Sequence, residues 1–94
     1  MEYENKTDNE LIALSQKGDT EAITIILEKY KGLVKRLARS MFLVGGDTDD
    51  LVQEGTLGIL KAIETFNGKS SFSSYVYLCV KSKMLSLIKK DNSK

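Results

Sequence analysis

Asp47-Thr48-Asp49-Asp50-Leu51-Val52-Gln53-Glu54-Gly55-Thr56-Leu57-Gly58-Ile59-Leu60-Lys61-Ala62-Ile63-Glu64-Thr65-Phe66 is the stretch from which the fold can be read. It opens as a helix opens. Asp47 is a good N-cap, Asp50 follows three residues later, and an acidic first turn suits the positive end of the helix dipole. Leu51, Gly55, Ile59, Ala62, Ile63 and Phe66 recur at steps of three or four, which makes one face apolar and buried. Gly55 and Gly58 stand in the helix interior, where each costs about 1 kcal/mol against alanine. A folded chain tolerates that cost where another backbone or a partner comes close. Asp50, Gln53, Glu54, Leu57 and Lys61 form a second stripe at helical spacing, polar and acidic with a leucine in its middle. Spacing alone leaves two readings open: a solvated face with one stray leucine, or a face on which a partner docks.

Working outward, the same periodicity extends to both sides. Residues 1–6 carry no apolar pattern and are expected to fray. Thr7 or Asp8 can cap a short helix to about Lys17, with Leu11, Ile12 and Leu14 partly buried, and Gly18 is a natural stop. Asp19 or Thr20 then starts a long helix to about Phe42, with Ile23, Ile26, Leu27, Tyr30, Leu33, Val34, Leu37, Ala38 and Met41 inward and Gly32 as an interior blemish. Lys31, Lys35 and Arg39 fall at steps of four, a basic stripe that serves either solubility or phosphate contact. Leu43 to Gly46 make a turn before the central helix, and Asn67-Gly68 make a tight turn after it. Ser70 or Ser71 caps a last helix towards Lys89 or Lys90. Phe72, Val76, Cys79, Val80, Met84, Leu87 and Ile88 face its inner side, and Ser74, Tyr77, Lys81, Ser82, Ser86 and Lys89 its outer side. Asp91 to Lys94 read as a polar tail. The fold class is therefore all-α: a compact bundle of three main helices plus a short N-terminal one, in a single domain over residues 1–94.

Composition narrows the chemistry. The 94 residues contain no proline, no tryptophan and no histidine. The missing histidine removes the commonest general base and metal ligand. Asp47, Asp49 and Asp50 lack the glycine and distal glutamate of a calcium loop, so a helix cap is the better reading. An enzyme and a cofactor find no supporting residues. The single Cys79 cannot make an internal disulfide and reads as a small buried hydrophobe in a cytoplasmic protein. No apolar run approaches the roughly 20 residues needed to span a bilayer. Net charge is only +1 but is segregated. Lys29, Lys31, Lys35, Arg36 and Arg39 stand against Glu28 alone. Asp47, Asp49, Asp50, Glu54 and Glu64 stand against Lys61 alone. Lysines dominate again after residue 67. Acidic and basic faces side by side suit a basic protein surface on one side and nucleic acid on the other.

Asp50-Leu51-Val52-Gln53-Glu54-Gly55-Thr56-Leu57-Gly58 resembles the D-L-[VI]-Q-E-G-x-x-G signature of region two of bacterial sigma-70 family factors. The flanks agree in order. Tyr30 to Phe42 resembles the helix before that signature, and Phe72 to Lys90 the helix after it. Arg39-Ser40-Met41-Phe42-Leu43-Val44-Gly45-Gly46-Asp47 and Tyr77-Leu78-Cys79-Val80 are most similar to the alternative, sporulation-type sigma-H branch. The resemblance covers nearly the whole chain beyond its first few residues.

The resemblance implies a transcription-initiation specificity subunit. Asp50, Gln53, Glu54 and Leu57 would grip a coiled coil in the largest subunit of core RNA polymerase, and the last helix would engage and help melt the promoter minus-ten element. Phe72 and Tyr75 would act in melting and Lys81, Ser82, Lys83 and Ser86 on duplex DNA, with Tyr77 and Lys89 on the same DNA-facing helix. Lysines at intervals neutralise phosphates, and exposed rings stack unpaired bases. Of the two aromatics, Phe72 also fits the core by spacing and Tyr75 a half-exposed position. Housekeeping members carry paired tryptophans where this chain has Leu78 and Cys79, and Ser82 replaces the glutamine of their reading helix. The housekeeping hexamer is therefore not carried over. An anti-sigma factor is a further partner, and a membrane is not. Two rival readings stay open: an interaction module that binds polymerase or an anti-sigma factor without reading DNA, and an ordinary DNA-binding repressor. No second helix-turn-helix domain follows Lys94. Fragment or stand-alone domain is left open, though an end inside the basic region favours a fragment.

Overall fold

The computed structural model describes residues 6–42 and 48–92, with side chains over 6–41 and 48–88. The expected Asp47 cap, the turn before it, the frayed start and the Lys89 side chain lie outside those bounds. Four helices follow in order: α1 (Asp8–Gln16), α2 (Thr20–Phe42), α3 (Thr48–Thr65) and α4 (Phe72–Asn92), with no strand among the described residues. The all-α expectation holds. α4 runs two residues past Lys90, so Asp91 and Asn92 belong to the helix and not to a tail.

Local chemistry sets the helix ends. Thr7 caps α1 in a capping box: its Oγ1 accepts from the Glu10 N–H at 3.2 Å, and its own N–H donates to Glu10 Oε1 at 2.9 Å. Those Thr7 bonds, the backbone one foremost, hold the Glu10 carboxyl below its ordinary value. Gly18, at φ +99°, stops α1. Asp19 Oδ1 accepts from the N–H groups of Glu21 and Ala22 and opens α2. Between α3 and α4, Asn67 Oδ1 accepts from the Lys69 N–H, Gly68 turns at φ +81°, and Ser71 Oγ accepts from the Ser74 N–H.

The core lies where α3 crosses α2 and α4. From α2 it takes Ala22, Ile26, Tyr30, Val34, Ala38 and Met41; Ala22, one turn before Ile26, extends the expected face towards the start of the helix. α3 supplies Leu51, Ile59, Ala62 and Ile63, and α4 supplies Val76, Val80, Met84 and Ile88. Gly55 and Gly58 are where these helices come closest. A Cβ on Gly58 would meet the Val80 Cα at 2.8 Å and the Cys79 carbonyl oxygen at 3.0 Å. One on Gly55 would meet the Met84 Cε at 2.6 Å and the Val34 Cγ1 at 2.8 Å. Close approach therefore accounts for both glycines. It does not account for Gly32, whose Cβ would meet nothing within 4 Å.

Phe72 corrects one expectation. Its ring is 3% exposed and sits edge-on to Tyr30 and Phe66, with centroids 5.5 and 5.2 Å away. The first inward position of α4 closes the core against α2, so this ring is not a DNA-facing group. Across from it, the Tyr30 hydroxyl donates to Asp8 Oδ2 at 2.7 Å, and Lys29 pairs with the same carboxylate, pinning α1 to α2. Burial, then the Asp8 bond and charge, push the Tyr30 hydroxyl well above the ordinary tyrosine value.

Substitutions at the glycines and at Tyr30 test this packing. Gly58→Ala should destabilise the chain by about 1–3 kcal/mol, because backbone atoms cannot yield to the new methyl. Gly55→Ala should cost less, since the Met84 terminus can swing aside. Gly32→Ala should stabilise the chain by about 0.5–1 kcal/mol, read as a higher urea midpoint. Tyr30→Phe should cost about 1–2 kcal/mol near neutral pH by stripping Asp8 of a buried donor. Tyr30 ionises later folded than unfolded. Its contribution is therefore complete below about pH 10 and fades as pH rises further, so the gap between wild type and Tyr30→Phe should narrow there.

Candidate functional site

Two surfaces of α3 and α4 carry the residues singled out above. The first is the outer face of α3. Because Gly55 and Gly58 turn inward, Asp50, Gln53 and Leu57 turn outward and are exposed, while Glu54 lies half-buried at the edge. Leu57 is 48% exposed. Leu60, one turn on, is also exposed, with Lys61 and Glu64 beside it. The stripe is thus acidic with two leucines rather than one. Leu60 escaped the sequence pattern because it falls next to the buried Ile59 and reads as part of the same apolar run.

The second surface is an open groove between α3 and α4. Glu54, Lys61 and Thr65 line it from α3, and Tyr75, Leu78, Cys79, Ser82, Lys83, Ser86 and Leu87 from α4. Tyr75 has a defined seat in it. Its ring lies against Phe66 with centroids 5.6 Å apart and a 47° tilt, and its hydroxyl is 2.6 Å from Thr65 Oγ1. The Thr65 hydroxyl already donates to the Lys61 carbonyl at 2.8 Å, so the Tyr75 hydroxyl must be the donor between them. The ring is therefore half-exposed and held at both ends, packed in part against the core while it also lines the groove.

The sequence-derived set divides over this geometry. Tyr75, Ser82, Lys83 and Ser86 come together in the groove, and Glu54 joins them from the α3 stripe. Tyr77 and Lys81 do not join them. They stack on each other, with Lys81 Nζ 5.7 Å from the Tyr77 centroid, and Tyr77 lines a separate hollow with Lys29, Arg36 and Ser73. Phe72 is withdrawn into the core, as above. Leu78, 61% exposed on the groove rim, and Thr65 were given no site role in the sequence, and Lys61 was read only as the end of the polar stripe of α3.

The groove brings together one carboxylate, two lysines, hydroxyls and a cysteine. Among the described residues no group of three or more Cys, Asp or Glu side chains could hold a metal ion, and no buried side-chain nitrogen or oxygen lacks a partner. Among the described residues no helix is long and apolar enough to cross a membrane. What the arrangement offers is an acidic, leucine-bearing ridge beside a groove with lysines and a fixed aromatic ring. The first suits a basic protein surface, the second a strand of phosphates and bases.

Comparison with known proteins bears on this arrangement. Residues 26–94 match the model of the family described as Sigma-70 region 2. The chain is 36% identical over 84 residues to the RNA polymerase sigma-H factors of Bacillus licheniformis and Bacillus subtilis (strain 168), covering 87% of this chain and 38% of each relative. It is 34% identical over 74 residues to the ECF RNA polymerase sigma-E factor of Escherichia coli (strain K12), covering 79% of this chain. The chain thus spans 38% of the length of these relatives. With the match running from the middle of α2 through the whole of α3 and α4, this chain belongs to the sigma-70 region 2 family.

Proposed function

We propose that this chain is a sigma factor domain that binds core RNA polymerase through the outer face of α3 and engages the promoter minus-ten region through the α3–α4 groove. The observation that carries this reading is the division of α3. One side is packed against α4 at Gly55 and Gly58, and the other leaves Asp50, Gln53 and Leu57 exposed to solvent. An exposed leucine amid acidic residues suits a basic partner helix, which fits a coiled coil of the polymerase. The chain would contribute contacts and no bond chemistry, working beside the polymerase in the cytoplasm.

On the nucleic-acid side, Tyr75 is the stacking group. A ring anchored at its edge and at its hydroxyl presents a face at little entropic cost, and stacking of one base on such a face contributes about 1–3 kcal/mol. Lys83 and Lys61 supply charge to the same groove, with Ser82 and Ser86 as hydrogen-bonding groups. Tyr77 and Lys81 lie on the flank and would meet phosphates rather than the base on Tyr75.

Gln53→Ala and Leu57→Ala together should weaken binding to core polymerase by tenfold or so, about 1.4 kcal/mol, with the melting temperature nearly unchanged because both side chains face solvent. A titration of labelled chain with core polymerase checks this; undiminished affinity for Gln53→Ala, Glu54→Lys and Leu57→Ala combined would remove α3 as the docking face. Tyr75→Ala should slow promoter opening, read by permanganate reactivity of unpaired thymines, more than it weakens the closed complex. Lys83→Ala should lower the salt slope of promoter binding by about one, with little dependence on sequence.

A further inference from the structure

The side chain of Gln16 spans 47 and 50 residues of sequence to reach the far end of α3. Its Nε2 donates to the Ile63 carbonyl at 2.9 Å and to the Phe66 carbonyl at 3.1 Å. α3 ends at Thr65, so the Ile63 carbonyl is one of the last-turn acceptors with no helical donor, and the Phe66 carbonyl lies just beyond. An amide nitrogen has two hydrogens, one for each. Gln16 is thus a C-cap for α3 provided by the last residue of α1. α1 itself is fixed by the buried Leu11 and Ile12 and by the Tyr30–Asp8 bond, and it stops at Gly18, which ends the helix just past Gln16.

The two carbonyls bracket Thr65 and Phe66, and these two residues form the seat of Tyr75: Thr65 Oγ1 takes its hydroxyl, and the Phe66 ring backs its ring. We propose that Gln16 is a positioning residue for Tyr75, acting through the end of α3, so that α1 sets the orientation of the ring in the groove. The role in promoter opening rests on the function proposed above; the placement of the ring does not. Without the amide, both carbonyls turn to water, the last turn of α3 loosens, and the hydroxyl and ring of Tyr75 lose a fixed support.

The test uses the full chain with Gln16→Leu, which keeps bulk but removes the donors, and Gln16→Lys, which returns a donor. In the free chain, the NMR ring resonances of Tyr75 should move in Gln16→Leu while those of Tyr77 stay, and Gln16→Lys should bring them back. With core polymerase, Gln16→Leu should slow opening by about fivefold, the worth of one hydrogen bond, with polymerase affinity unchanged. In a Tyr75→Ala background Gln16→Leu should slow it no further. Unmoved Tyr75 resonances, or an equal slowing in the Tyr75→Ala background, would reduce Gln16 to a plain helix cap and overturn the proposal. If Tyr75→Ala itself opens promoters normally, the function assigned to Tyr75 fails, and the resonances still decide whether Gln16 places the ring.

Discussion

The rest of the structure depends on the contact between the backbones of α3 and α4 at Gly58. A methyl there would stand 2.8 Å from the Val80 Cα. Backbone cannot give way as a side-chain terminus can, so the two helices hold this spacing only while the position is glycine. The approach fixes the rotation of α3 about its own axis. With residues 55 and 58 against neighbours, helical geometry sends 50, 53 and 57 outward and leaves 54, 61 and 65 at the edge facing α4. The exposed ridge of α3 and the groove therefore share one cause.

A second tier of contacts orients what the first exposes. The rings of Tyr30, Phe72 and Phe66 interlock edge to face at the junction of α2, α3 and α4, and Tyr75 leans on the outermost of them. Tyr30 ties that cluster to α1 through Asp8. The short N-terminal helix thus bears on the groove although none of its residues lines it. Charge is divided less cleanly: Asp50 is exposed on the outer face of α3, while Lys61 and Lys83 line the groove together with Glu54.

Much of this was legible in the residues. The step of three or four in α3 and α4 and the stop at Gly18 locate the helices by local chemistry, the caps are narrowed to neighbouring pairs of residues from which the structure selects Thr7, Asp19 and Ser71, and the interior glycines announce a close approach. What periodicity cannot supply is the identity of whatever covers a face. Phe72 lies at the start of α4 and could have been an exposed ring or the lid of the core; the long-range neighbours Tyr30 and Phe66 decide it. Tyr77 and Lys81 share a helix with Tyr75, yet a turn of the α4 wheel sends them to the opposite flank. Gln16 left no trace at all, because its partners lie some 50 residues away and are backbone atoms that every sequence has. Leu60 escaped for the reverse reason, since an apolar residue beside the buried Ile59 reads as part of the same run.

The most direct measurement of the central claim, that locking α3 to α4 frees the opposite face of α3 for the polymerase, is hydroxyl-radical side-chain footprinting of the chain alone and bound to core RNA polymerase. The account predicts that Leu57 and Leu60, both oxidised in the free chain, become protected in the complex, while Tyr77 on the far flank keeps its reactivity. Leu57 and Leu60 remaining as reactive in the complex as in the free chain would contradict it.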